Sequence, residues 1–411
     1  MLHHSKLLAA ILCTTALLVA GSLITSPAQA EKSVKIGALM PMTGDLQAYG
    51  ESCYTGVKLA VEQINADGGV LGSTLELKLG DTQTKPQPGI DAAQKLVSVE
   101  NVSAIVGALS SGVTIPVASS VTNEAGVVLM SPASTSPVIT GLEDKDFLFR
   151  SVPSDAFQGV ALAQLVEEAG YENVATLYVN NDYGEGLAES FQYAFEKKGG
   201  TVSQTLAYEP GNASYRGELS KAASKGAEAL NLIGYPENGI TILRQALEEG
   251  LFTEFIFSDG LKAPEIIEAI GAKYLNGSSG TVPQALSDTP SAQNYLNAYK
   301  DRFGEVPPKP YIDTSYDAVY ALCLAIEKAG TTDGTAVRDA LRDVANPPGE
   351  KVLPGEWAKG VKLLAEGKDI DYVGASGSVD FDENGDVGGT FGHWMIKDGE
   401  IVTVKVFEPE M

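Results

Sequence analysis

The feature that most constrains this chain is a regular alternation of short apolar segments with amphipathic ones, running from residue 34 to beyond residue 260. Val34–Met40 reads as a buried strand. Tyr49–Ile64 reads as a helix with Val57, Ala60, Val61 and Ile64 on one face, ended by Gly68-Gly69. Further strands are expected at 74–80, 103–107, 126–131, 173–179, 201–208, 228–234 and 254–258, with helices centred near 93, 118, 163, 190, 220, 243 and 268. That rhythm produces βαβ units and mostly parallel sheets. The count exceeds one ordinary open sheet, so the expected fold class is α/β with two doubly wound parallel-sheet lobes.

Composition removes several function classes. The 411 residues are 44 % hydrophobic and 20 % charged, enough to bury a core without metals or disulfides. Twenty-nine Lys and Arg stand against 53 Asp and Glu, a formal charge of −24 that repels nucleic acids and anionic lipid. The first 30 residues have the pattern of an export signal: Lys6, an apolar run from Leu7 to Ile24, and Ala28-Gln29-Ala30, with cleavage expected after Ala30. A membrane anchor is disfavoured because Thr14, Thr15, Gly21 and Ser22 dilute the run and no basic stop-transfer residues follow. The expected location is outside the cytoplasm.

Beyond the leader only His393, Cys53 and Cys323 remain of those two residue types, since His3 and His4 lie within it. These cannot complete a Cys/His zinc site. A Ser-His-Asp triad would need His393, which sits in an alternating strand pattern, and there is no Gly-x-Ser-x-Gly, Walker A or dinucleotide fingerprint. No catalytic residue, metal or cofactor is assigned. Asp380, Asp382, Asn384, Gly385 and Asp386 imitate the start of a calcium loop, but Phe391 occupies the twelfth position, and a hairpin turn at Asn384-Gly385 explains the same letters. Cys53 and Cys323 admit two readings, a disulfide under oxidising conditions or two buried thiols.

In open α/β sheets ligands gather beyond the carboxyl ends of strands. There this chain carries Ser110 and Ser111, then Ala133, Ser134 and Thr135, then Asp182 and Tyr183, then Tyr235, and finally Ser258 and Asp259. Ser111 at a helix start suits a carboxylate. Thr135 and the Ala133 carbonyl suit an ammonium or a second carboxylate oxygen, Asp259 supplies the charge an ammonium needs, and Tyr183 and Tyr235 supply rings and hydroxyls. The set fits a free α-amino acid. Taken singly, each residue also serves as an ordinary cap or turn.

Several segments resemble the periplasmic leucine/isoleucine/valine-binding proteins of ABC transporters: Val34–Gly44 with Tyr49-Gly50, Ala66–Gly72, Ile105–Gly107 with Ser110-Ser111, Ser131–Thr135, and Asn181–Gly186. The resemblance extends to Phe381–Gly385 and implies a type I periplasmic binding fold, two lobes joined by three crossings and closing as a clamp. It puts lobe 1 at 31–150 plus 283–375 and lobe 2 at 151–280 plus 376–411, with crossings near Phe149–Pro153, Ser278–Val282 and Ser376–Val379. It implies ligand contacts at Ser111, Ala133 and Thr135 from lobe 1 and at Tyr183, Tyr235 and Asp259 from lobe 2. Asp259 is a departure, because the branched-chain members carry Glu there. Tyr49, Ser110 and Leu109 are added as candidate pocket residues. The implied function is capture of a neutral, branched-chain or aliphatic L-amino acid by a monomer that delivers it to a membrane permease. The alternatives are a sensory ligand-binding component, or a binder of an amide, urea-like or aromatic carboxylate ligand.

Overall fold

A computed structural model describes residues Ser33–Glu410, so the expected export signal and its cleavage site lie outside the described residues. The first sheet holds β1 (Ser33–Met40), β2 (Thr74–Asp81), β3 (Ala104–Gly107), β4 (Val128–Ser131) and β5 (Leu148–Arg150) in the order β2-β1-β3-β4-β5, every pair parallel. Central β3 and β4 are buried throughout and almost wholly apolar, while edge strand β2 is mostly half-buried. A second sheet contains β6 (Asn173–Val179), β7 (Thr201–Tyr208), β8 (Ala229–Ile233), β9 (Phe255–Phe257) and β10 (Ser279–Pro283), again parallel. A third, small sheet joins β11 (Glu350–Val352), β12 (Ile370–Gly374) and β13 (Gly377–Ser378).

The second sheet is mostly parallel, as expected, with β14 (Phe391–Lys397) running antiparallel to β10 and forming a hairpin with β15 (Glu400–Phe407). The Asn384-Gly385 turn exists, but it closes only a single bridge between Phe381 and Val387 instead of joining two strands. Its carboxylates are committed, Asp382 to the amides of Asn384 and Asp386, and Asp386 to Arg150 and Thr140.

Of the two readings of the cysteines, the structure bears out the buried thiols: Cys53 and Cys323 are both free and buried. The helices Gln47–Ala66 and Ile312–Ala329 pack so closely that a Cβ on Gly56 would lie 2.1 Å from the Ile312 carbonyl. Their register sets Gly56 beside Ile312 and Gln63 beside Tyr316 and Tyr320. Cys53 therefore sits level with Pro310, whose carbonyl it meets at 3.8 Å, while Cys323 is more than two turns farther along. At 1.5 Å per residue that offset is well over the ~7 Å Cα separation a disulfide spans. Burial pushes the Cys53 thiol up to about 12 and raises Cys323 as well.

Residues 381–386, expected to travel with the second sheet, pack against the first. The Gly385 carbonyl accepts from the Arg150 amide (3.0 Å), Phe381 meets Phe149 edge-on at 5.1 Å, and Asn346 bonds the Phe381 carbonyl (2.8 Å). The buried Arg150 guanidinium grips Asp386 with both arms, Nε to Oδ1 at 2.5 Å and Nη2 to Oδ2 at 2.7 Å.

Candidate functional site

Each large sheet reverses its strand order once, between β1 and β3 in the first and between β6 and β8 in the second. Such switch points splay the connections and open a crevice at the strand ends. Leu109 and Ser110 follow β3, Tyr183 and Asn181 follow β6, and Tyr235 follows β8, so both crevices contribute to one place.

That place is a small cavity lined by Leu46, Tyr49, Leu109, Ala133, Tyr183 and Tyr235, with Asp259, Gly260 and Tyr311. It leaves about 20 Å³ in which a water-sized sphere can sit, so the walls are nearly in contact. Tyr183 and Tyr235 stack with ring centres 5.6 Å apart and planes 11° from parallel. The Tyr235 hydroxyl meets Ser110 Oγ at 3.0 Å and accepts from Asn181 Nδ2 at 3.1 Å. The Tyr49 hydroxyl donates to the Gly260 carbonyl (3.0 Å). Every tyrosine hydroxyl is thus turned onto the protein, leaving ring faces and the side chains of Leu46 and Leu109 toward the cavity.

Asp259 is the anionic centre. Its Oδ1 accepts from the Tyr183 hydroxyl (2.7 Å) and Gln158 Nε2 (2.8 Å), and its Oδ2 accepts from the Tyr311 hydroxyl. Burial raises its pKa, and these three donors oppose the rise. A second carboxylate, Asp155, is wholly buried. Its Oδ2 accepts from Thr135 Oγ1 (2.7 Å), whereas its Oδ1 has no partner. Desolvation raises its pKa well above the ordinary range, the Asp259 charge adds to that, and the Thr135 bond and the charge of Arg150 oppose it. Arg150 is spent on Asp386, so neither Asp259, which lines the cavity, nor Asp155 behind it has a salt-bridge partner among the described residues.

Of the residues expected from sequence, Tyr49, Leu109, Ala133, Tyr183, Tyr235 and Asp259 line the cavity and Ser110 touches its wall. Ser111 and Thr135 are buried beside it but spend their hydroxyls on the protein, Ser111 accepting from the Ser136 amide (3.2 Å) and Thr135 donating to Asp155. Asp155, Gln158, Tyr311 and Leu46 were not expected. Asp155 follows Ser154, which caps the helix Asp155–Glu168, so the pair reads as ordinary capping, and Gln158 is merely one turn on. Tyr311 precedes a helix and follows no strand, where the strand-end rule does not look.

A larger crevice of about 880 Å³ lies between Phe157, Leu286, Leu353, Val373 and the 388–390 segment. It contains none of the expected residues, and its charged groups, among them Lys351 and Asp380, are exposed. Size alone would favour it, but convergent buried polar groups favour the tyrosine cavity.

Residues 33–358 match the family model described as periplasmic binding protein. A Brucella melitensis protein named Leu/Ile/Val-binding protein homolog 3 is 30 % identical over 373 residues, 90 % of this chain and 93 % of the relative. A Pseudomonas aeruginosa leucine-, isoleucine-, valine-, threonine- and alanine-binding protein is 31 % identical over 80 % of this chain and 86 % of its own. The crystal structure of a leucine-binding protein from Thermotoga maritima superposes with a TM-score of 0.78 at 29 % identity, covering 92 % of this chain and 99 % of that one. With a cavity built from the switch points of two sheets, and relatives aligned over nearly its whole length, the chain belongs to the periplasmic binding protein family and has the type I fold.

Proposed function

We propose that this protein is an extracytoplasmic solute-binding protein that captures a neutral aliphatic L-amino acid between two lobes and delivers it to an ABC transporter permease, acting as a monomer without chemical turnover. The observation that carries the reading is Asp259: a buried carboxylate with no salt-bridge partner, held by Tyr183, Tyr311 and Gln158 in a cavity otherwise walled by rings and leucines. An ammonium is the partner such a charge needs, while a plain carboxylic acid would leave it buried and uncompensated. The amide of Thr135 and the carbonyl of Ala133 have no partner among the described residues, which suits the α-carboxylate and ammonium. The apolar remainder selects against polar and charged side chains, in keeping with the names of the relatives.

The closed walls require the lobes to part for entry. We take lobe 1 as 31–150 plus 283–375 and lobe 2 as 151–280 plus 376–411, with residues 380–387 moving with lobe 1 because of their contacts to Phe149 and Arg150. The leader ending at Ala30 accounts for export. A thermal-shift screen of the twenty amino acids tests the reading. An aliphatic L-amino acid at 100 times its Kd adds about 2.7 kcal/mol, and silence across all twenty overturns it.

A further inference from the structure

One short stretch, Lys309–Asp313 at the start of the helix Ile312–Ala329, makes several contacts to the segment that follows β9. Lys309 Nζ forms an ion pair with Glu265 and also donates to the Ala48 carbonyl at 2.7 Å. The Lys309 side chain is only 14 % exposed, while Glu265 is 40 % exposed, so the pair is screened by solvent from one side only. Two residues on, the Tyr311 hydroxyl donates to Asp259 Oδ2. Asp313 follows, half-buried, with the charge of Lys262 opposing the burial-driven rise of its pKa. Asp259, Lys262 and Glu265 all follow β9 of the second sheet, Glu265 in the first turn of the helix Pro264–Ile270. The stretch itself is tied to the first: Thr314 Oγ1 donates to the Pro132 carbonyl (2.8 Å), and Ser151 Oγ donates to the Thr314 carbonyl (3.0 Å).

The backbone of Tyr311 is unusual. It has φ +72°, the left-handed region, which a bulky aromatic residue rarely adopts. It stands where a helix N-cap normally has extended backbone, and no side chain caps that end. The conformation is held by Ser315, whose amide (3.1 Å) and hydroxyl (2.5 Å) both bond the Tyr311 carbonyl. A strained residue fixed in this way, with its hydroxyl on the anionic centre, has the signature of a positioning element.

We infer that residues 309–313 form a strap that draws the lobes together and sets the Asp259 carboxylate in place through protein contacts alone, with Lys309 and Tyr311 as positioning residues. The inference rests on the amino-acid reading above for its consequence. Apparent affinity scales with the fraction of protein already in the binding-competent arrangement, so the strap tunes affinity without touching the ligand's side chain. Selectivity is left to Leu46, Leu109 and the rings.

The test uses L-leucine calorimetry together with small-angle scattering of the protein without leucine. Lys309→Met and Glu265→Gln each weaken leucine binding about tenfold and enlarge the radius of gyration, while the ranking of leucine, isoleucine and valine is kept. The double variant is no weaker than the worse single one, and Lys309→Arg recovers most of the loss, which a general packing defect would not allow. Tyr311→Phe weakens binding with no change in charge. Unchanged radius and affinity in Lys309→Met, or effects that add in the double variant, overturn the strap. If wild-type protein binds none of the twenty amino acids, the functional reading fails, and the scattering comparison still decides the strap.

Discussion

Buried carboxylates occur in two regions of this molecule and are treated in opposite ways. Behind the cleft, Asp317 accepts four hydrogen bonds, from the Tyr372 hydroxyl (2.7 Å), the Ala375 and Ser376 amides (both 2.8 Å) and the Ser376 hydroxyl (2.6 Å). Asp386 is clasped by Arg150. In the cleft, Asp259 is held by three neutral donors and no cation, and one oxygen of Asp155 has no partner at all. Saturated carboxylates fasten segments together, whereas under-compensated ones leave capacity for something that arrives. A fold built only for stability would have no use for the second arrangement, because an unsatisfied buried polar group costs about 1–3 kcal/mol.

The largest effect belongs to the fastening set. Arg150→Met leaves Asp386 buried without its partner, and removal of one member of such a pair costs about 3–5 kcal/mol. Urea denaturation should show that loss, and a loss under 1 kcal/mol would mean that Asp386 is reached by water and that the contrast between regions is overstated. In the cleft the corresponding change, Asp259→Asn, should leave the melting temperature nearly intact but weaken leucine binding by about 2–5 kcal/mol, the range for a buried charge pair. Calorimetry checks it, and equal affinity would reduce Asp259 to a packing residue.

This division also explains what the sequence could and could not reveal. Strand and helix positions were legible because apolar periodicity is local: expected strand 201–208 coincides with Thr201–Tyr208, and 173–179 with Asn173–Val179. Tyr183, Tyr235 and Asp259 were legible because they follow strands directly. Asp155 and Tyr311 were not, since their roles depend on a long-range approach, with Tyr311 and Asp259 separated by 52 residues. The partners of β14 and the packing of 381–386 against the first sheet were not legible for the same reason. Alternation marks a strand but not its partner, and the Arg150–Asp386 pair joins residues 236 positions apart.

A pH series sharpens the comparison on the fastening side. Burial raises Asp317 to about 6 despite its four donors. The unfolded chain titrates near 3.9, so between about 3.9 and 6 the native state binds more protons than the unfolded one. Stability from this residue is therefore complete below that window and declines as pH rises through it, by about 3 kcal/mol at 1.36 kcal/mol per unit. The difference in unfolding free energy between wild type and Asp317→Asn isolates the term, because other groups cancel. A flat difference from pH 4 to 7 would show Asp317 ionised throughout.

The smallest expected effect distinguishes the two cleft carboxylates from each other. Asp155 is raised well above the ordinary range and is pushed further by the charge of Asp259, while Asp259 is relieved by three donors. When two neighbouring acids are unequal in this way, the less supported one keeps its proton and the other carries the charge. Asparagine then imitates the neutral Asp155, and it retains an oxygen to accept from Thr135. Asp155→Asn should change leucine affinity less than about threefold near pH 6, roughly 0.6 kcal/mol by the relation of tenfold to 1.4 kcal/mol, in contrast to the large loss in Asp259→Asn. As pH rises and Asp155 begins to ionise, wild type gains a second negative charge beside the ammonium and its affinity climbs, whereas the variant's curve stays flatter. Calorimetric titrations of both proteins from pH 5 to 8 read the divergence directly. A tenfold weaker variant at every pH would mean that Asp155 is charged throughout and shares the ammonium equally, and the two cleft carboxylates would then form one site instead of a charged contact and a neutral support.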